Sequence, residues 1–193
     1  MQTLAEQDRL YTEAIAQADQ NRDQEIWEAA LGKYQEASSI KPKETYPKEQ
    51  IDLIHQKLQD MAAVQAAYDQ AIAQADQKFE TKEWQASLGF YNEALKLKPN
   101  EVYPQTQIQE INRIVKELAD RNAAYQLAVQ EGDAYYKSED WSSALSKYET
   151  ASQIKPNEQY PKDKIAELNG ILGDLAAQQA KYDALIAQAD QSF

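Results

Sequence analysis

The sequence predicts an all-α chain built from a tandem 57-residue helical repeat, and three observations predict it. Tyr11, Tyr68, Tyr125 and Tyr182 stand 57 residues apart, and the same interval relates Trp27, Trp84 and Trp141 without a gap. A fixed period of this length is the mark of a repeat architecture. Within each copy the apolar residues recur three and four apart, the spacing of one helix face. The 193 residues include only 5 Gly and 6 Pro, too few for a loop-rich β protein, and residues that lose little freedom in a helix dominate. With 42% hydrophobic residues the chain has enough apolar surface to offset its ordering entropy.

Further sets keep the same step: Tyr34, Tyr91 and Tyr148; Pro42, Pro99 and Pro156; Tyr46, Tyr103 and Tyr160; Pro47, Pro104 and Pro161; Ile51, Ile108 and Ile165. Aromatics placed periodically serve packing better than a single ligand pocket. Trp27, Trp84, Trp141, Tyr34, Tyr91, Tyr148, Tyr68 and Tyr125 are therefore the expected core. The copies are residues 11–67, 68–124 and 125–181, preceded by the end of an earlier third helix (1–10) and followed by the start of a fourth copy (182–193).

Each copy carries three helical stretches. In the middle copy the first runs from about Tyr68 to Glu80, with Tyr68, Ile72, Ala75 and Phe79 on one face. The second starts near Trp84, where Thr81 and Glu83 suit a cap and an acidic first turn. Its stripe is Trp84, Leu88, Tyr91 and Leu95, and Lys98-Pro99 ends it, because proline disfavours a helical residue before it. The third begins at Tyr103-Pro104, a first-turn position that tolerates proline.

No stop signal closes the third stretch. The three-and-four spacing runs on through Ile51, Ile54, Leu58, Met61, Gln65, Tyr68, Ile72, Ala75 and Phe79, and again from Ile108 to Tyr136 and from Ile165 to Phe193. The third helix of one copy is therefore expected to be the first helix of the next, one helix of about 34 residues and roughly 50 Å. Gly170 and Gly173 should weaken such a helix without ending it. Each seam has one polar member: Gln65, Asn122 or Gln179, with Asp8 in the equivalent place. Two readings are open for it, a solvent-facing passage between bundles or a register-setting buried amide.

The first two stretches resemble the tetratricopeptide repeat. The third copy carries the pattern over Gly132-Asp133-Ala134-Tyr135-Tyr136, Trp141, Ala144-Leu145, Tyr148, Ala151 and Pro156. Ala18, Trp27, Ala30, Tyr34, Ala37 and Pro42 repeat it in the first copy, and Ala75, Trp84, Ser87, Tyr91, Ala94 and Pro99 in the second. The family often has glycine at the turn between its two helices, where this chain has Glu25, Lys82 and Glu139, so a differently built turn is expected. The 23 residues beyond a 34-residue family unit supply the third helix. An odd helix count displaces each unit along the axis, so an α-solenoid that extends as a rod is expected, advancing roughly 30 Å per copy. Arrays punctuated Lys-Pro-x-Glu-x-Tyr-Pro look like those of large bacterial envelope, periplasmic or secreted proteins.

The resemblance implies a non-catalytic scaffold for protein–protein interaction, with a structural spacer as the alternative. Family members that grip a terminal carboxylate use a lysine and asparagine clamp, and Val129 and Asp133 occupy those positions here, which disfavours that ligand. Phe90 and Tyr135 lack an aromatic counterpart in the other copies, so Phe90, Tyr135 and Asp133 are the candidate partner-binding residues. A formal net charge of −12 repels phosphate backbones and anionic lipid, leaving a protein or peptide, preferably basic, as partner and nucleic acid disfavoured. No apolar run approaches the roughly 20 residues of a membrane span.

Cysteine is absent and His55 is the sole histidine, so no catalytic, cofactor or metal site is expected. The chain starts and stops inside helical stretches. That pattern suggests part of a longer array whose apolar ends associate end to end.

Overall fold

The computed structural model describes residues 3–190, so Phe193 of the expected seam and the first two residues of the expected leading stretch lie outside the described residues. Those described form seven α-helices and no strand: α1 (Leu4–Asp23), α2 (Trp27–Ile40), α3 (Tyr46–Glu80), α4 (Trp84–Leu97), α5 (Val102–Lys137), α6 (Trp141–Ile154) and α7 (Gln159–Asp190). The chain divides into two compact units, residues 1–108 and 109–193, and the division falls inside α5.

In the first unit, Thr3 caps α1 by accepting the Glu6 N–H at 3.3 Å. Ala18, Ala30, Tyr34 and Ile54 form a buried cluster with Ile15, Trp27, Leu31, Ile51 and Leu58 packed around it. Alanine at 18 and 30 lets α1 and α2 approach closely, and Tyr34 fills the space that remains beside α3. At the place of Ala30 the second copy has Ser87, fully buried, whose hydroxyl donates to the Ala75 carbonyl at 2.9 Å. A buried hydroxyl without such an acceptor would destabilise the fold.

α3 is a single helix of 35 residues that packs against both α2 and α4. Proline 47 sits in its first turn and is buried. Between the two packed ends, residues 59–67 are all exposed. Four of those nine are alanine (62, 63, 66 and 67), the residue with the highest helix propensity, so the helix persists there without a buried core beside it. Gln65 is exposed, which selects the solvent-facing reading over the buried amide.

The second unit repeats the packing with Ala144, Tyr148 and Leu168 at its centre and Tyr136, Trp141, Leu145, Ile165 and Ile171 around them. Gly132 stands where the first unit has Ala18 and Ala75; a Cβ on it would come within 2.9 Å of the Tyr148 ring. Gly170 and Gly173 lie inside α7, which runs through both.

Three expectations need correction. Glu25, Lys82 and Glu139 adopt left-handed backbone, with φ of 59°, 60° and 61°, so the turn has the geometry glycine would give it. Lys82 N–H bonds to the Phe79 carbonyl at 3.0 Å and Glu83 N–H to that of Lys78 at 2.9 Å, the paired bonds of a Schellman cap. The same pairs close the turns at Glu25 and Glu139. Those bonds satisfy carbonyls that would otherwise be orphaned at the helix end, which outweighs the roughly 1–2 kcal/mol that a Cβ costs in this region.

The second correction concerns the start of α4. Thr81 does not cap it but donates to the Gln77 and Lys78 carbonyls at the end of α3, each at 3.2 Å. Glu83 occupies the N-cap without a side-chain capping bond, because its carboxylate is drawn to Lys78 at 2.9 Å. Third, Tyr68 and Tyr125 are half-buried instead of core, and so are Trp27, Trp84 and Trp141, whereas Tyr34, Tyr91 and Tyr148 are fully enclosed.

Candidate functional site

The most organised polar feature recurs once per copy where three helices meet. Asp19 on α1 accepts from the hydroxyl of Tyr34 on α2 at 2.5 Å and from that of Tyr46, opening α3, at 2.7 Å. Asp76 accepts from Tyr91 at 2.5 Å and Tyr103 at 2.8 Å. Asp133 accepts from Tyr148 and Tyr160, both at 2.6 Å. In each case a single oxygen, Oδ1, takes both bonds. The two rings meet edge to face, at 6.1 Å and 77° for Tyr34 with Tyr46 and for Tyr91 with Tyr103, and at 6.0 Å and 80° for Tyr148 with Tyr160.

Hydrogen bonds to an ionised acceptor are stronger than neutral ones, and the aromatic edges add to them. Each aspartate thus fastens three helices at one point. Burial, then donation to the carboxylate, pushes the Tyr34, Tyr91 and Tyr148 hydroxyls well above the ordinary phenol range. They stay protonated donors, and the arrangement is chemically a clasp.

The first junction has an additional cation. Arg22 bonds the Tyr34 and Tyr46 hydroxyls, each at 3.1 Å, and pairs with Asp19 at 3.2 Å. Phe79 and Tyr136 hold the equivalent places in the later copies and turn outward onto tryptophan: Phe79 meets Trp84 at 5.3 Å and Tyr136 meets Trp141 at 5.2 Å, both edge to face. Trp27 has no such ring and is covered by the Lys57 ammonium at 5.8 Å.

A second recurring contact lies beside the exposed middle of the long helices. The lysine of each Lys-Pro pair reaches over a tyrosine ring: Lys41 over Tyr11 at 4.9 Å, Lys98 over Tyr68 at 5.1 Å and Lys155 over Tyr125 at 4.8 Å. Lys41 also pairs with Asp8 at 2.5 Å, and Lys98 donates to Gln65. Two of the polar members of the seam, Asp8 and Gln65, are therefore partners of these lysines. Cation–π contacts at exposed sites contribute about 0.5–1 kcal/mol each.

Of the expected partner-binding residues, Asp133 is engaged at its own junction, where its Oδ1 accepts from both tyrosine hydroxyls. Phe90 is half-buried on α4 and Tyr135 exposed on α5. They stand in different units, and neither belongs to a clasp. An open groove of about 480 Å³ separates α3 from α4, with Gln70 and Gln74 on one wall, Glu93, Lys96 and Leu97 on the other, and Ala71 at its floor. Among the described residues no group of three or more His, Cys, Asp or Glu is arranged to hold a metal, and no helix is long and apolar enough to cross a membrane.

The clasp aspartates were missed because acidic residues interleaved with lysine and glutamine read as a solvated face. A signal was present. Asp19, Asp76 and Asp133 keep the 57-residue step in register with two tyrosines that do the same. A scan against protein-family models finds no matching family, and a search of curated proteins finds no match.

Proposed function

We propose that this chain is a non-catalytic, tetratricopeptide-like repeat scaffold that mediates protein–protein interaction through surface residues that differ from copy to copy. The observation that carries this reading is a division of labour. Residues that recur at the 57-residue step, such as Asp76, Tyr91 and Tyr103, are engaged in holding helices together. Two positions where an aromatic is peculiar to one copy lie outside the clasps: Phe90 stands where the others have Lys33 and Lys147, and Tyr135 where they have Asn21 and Lys78. A constant framework with a varied surface is how one fold accommodates particular partners.

The net charge of −12 favours a basic peptide and makes association fall with added salt. Titrating the chain with cationic peptides should yield saturable, salt-sensitive binding that Phe90→Ala or Tyr135→Ala weakens while helicity is unchanged. Binding equally indifferent to both substitutions and to salt would refute the scaffold reading.

The exposed middle of α3 favours a second reading, a spacer whose product is length. Nine exposed residues of helix, none of them in a buried core, extend the chain more than they enlarge its core. Deleting or adding one 57-residue copy in the natural protein separates the two readings. A spacer's output scales with copy number, and a scaffold's follows particular side chains.

A further inference from the structure

The middle of α5 borders a notch that the earlier copies share but furnish differently. Leu118, Arg121 and Asn122 on α5 and Lys155, Pro156 and Glu158 in the turn after α6 enclose about 310 Å³. The equivalent notch on α3, bordered by Met61, Val64, Gln65 and Lys98, lies between the two packed ends of one helix and is open as well. Openness here is therefore a property of the repeat.

What changes from copy to copy is the group that meets the lysine. Lys41, Lys98 and Lys155 each lie over a tyrosine ring. Lys41 also holds the Asp8 carboxylate at 2.5 Å, and Lys98 donates to the Gln65 side-chain oxygen. Asn122 stands at the same register with the length of Asp8 and none of its charge. Among the described residues Lys155 has no ion-pair partner.

A second cation stands beside it. Arg9, Arg22 and Arg113 each pair with two carboxylates, whereas Arg121 pairs with none among the described residues. The acidic neighbours on its own helix are engaged elsewhere: Glu117 with Arg113 at 2.5 Å and Asp120 with Lys116 at 2.6 Å. In a chain of 32 acidic and 20 basic side chains, two cations without ion pairs at one notch invert the prevailing charge. Glu158 also lines this notch, but its counterpart Glu44 lines the first one, where Lys41 nevertheless holds Asp8.

We propose that this notch of the third copy docks an acidic peptide segment, whose side-chain carboxylate pairs with Lys155 and Arg121 while a neighbouring apolar side chain covers Leu118. The Lys41 and Asp8 pair shows within one chain the contact that the segment makes from another. The arginine fork matches a carboxylate through two parallel bonds, and Leu118, 44% exposed, supplies apolar surface next to it. A phosphate suits the notch less well, because Glu158 opposes its charge of about −1.5 to −2 more strongly than that of one carboxylate. The inference stands independently of the scaffold reading, since it concerns other residues and a ligand of the opposite charge.

The test is amide NMR of the isotope-labelled intact chain titrated with acetyl-Leu-Glu-Glu-Leu-amide, a peptide without terminal charges. Saturable shifts are expected at Arg121, Asn122 and Lys155, and none with acetyl-Leu-Gln-Gln-Leu-amide. Arg121→Gln should weaken binding about threefold or more, the scale of one exposed ion pair. Asn122→Asp should weaken it about tenfold or more, because the new carboxylate takes Lys155 as Asp8 takes Lys41. Amide signals remote from the notch should stay in place in both variants.

Absence of saturable shifts at these residues would overturn the proposal. So would equal binding of the glutamine peptide, or of the glutamate peptide by the Asn122→Asp chain. Inorganic phosphate that displaces the peptide at equal concentration would overturn it too, by showing an unselective point of positive charge.

Discussion

The two ends of α3 and its middle are held by different physics. From Tyr46 to Leu58 the helix presents Ile51, Ile54 and Leu58 to the first core, with Tyr46 bonded to Asp19. Past Tyr68 it presents Ala75, Asp76 and Phe79 to α4. Between them, residues 59–67 are all exposed and contribute nothing to either core. At the ends, sequence identity is set by what must be enclosed; in the middle it is set by intrinsic propensity, and alanine answers that need. The same helix therefore tolerates substitution unequally along its length, and each prediction below sharpens or breaks that contrast.

The largest effect belongs at a clasp. Tyr91→Ala removes a fully enclosed ring and the Asp76 bond, and should cost about 3–5 kcal/mol in denaturant unfolding. The half-buried tryptophans should cost less, so Trp84→Ala falling beyond Tyr91→Ala would contradict this ranking. Next is Ala63→Pro, which removes a backbone bond and forces a kink worth about 3 kcal/mol, against about 1 kcal/mol for Ala63→Gly. An unchanged unfolding curve for the proline variant would mean that the middle is not helical in solution.

A gain of up to about 1 kcal/mol is expected for Lys82→Gly, because glycine meets no Cβ penalty at φ 60° and retains the Schellman bonds. Destabilisation would show that the lysine side chain matters more than its backbone strain. The smallest effect within the accessible range is alkaline. The Tyr34, Tyr91 and Tyr148 hydroxyls are raised by burial and by donation to aspartate. Their contribution is complete below the ordinary phenol value of about 10 and is lost as pH climbs above it towards the folded-state values. Melting temperature should hold steady below that value and decline beyond it, and Tyr91→Phe should flatten part of the decline.

Much of the fold was legible because the informative residues are large or rigid. Tryptophan and tyrosine at a fixed step, and proline after Lys41, Lys98 and Lys155, mark helix starts and stops with few alternatives. The absence of any stop between Leu58 and Tyr68 was equally readable. What could not be read was geometry shared between distant residues. Lys82 in left-handed backbone violates a local preference that tertiary packing overrides, and a lysine over a tyrosine ring 30 residues before it leaves no mark in hydrophobic periodicity. Asp133 was placed correctly on the first helix of its copy, yet taken as available, because sequence shows that a carboxylate exists and not that two phenols already occupy it.

Continuity of α3 is the feature on which the rest depends, and spin labels measure it most directly. The chain has no cysteine, so Asp52→Cys with Gln74→Cys, both at exposed positions, gives a single labelled pair that brackets the exposed middle. Twenty-two residues of α-helix separate these backbone positions by about 33 Å. Pulsed dipolar spectroscopy should return one narrow distribution near that distance plus the label arms. A broad distribution centred well below it would show that the helix breaks between its two packed ends.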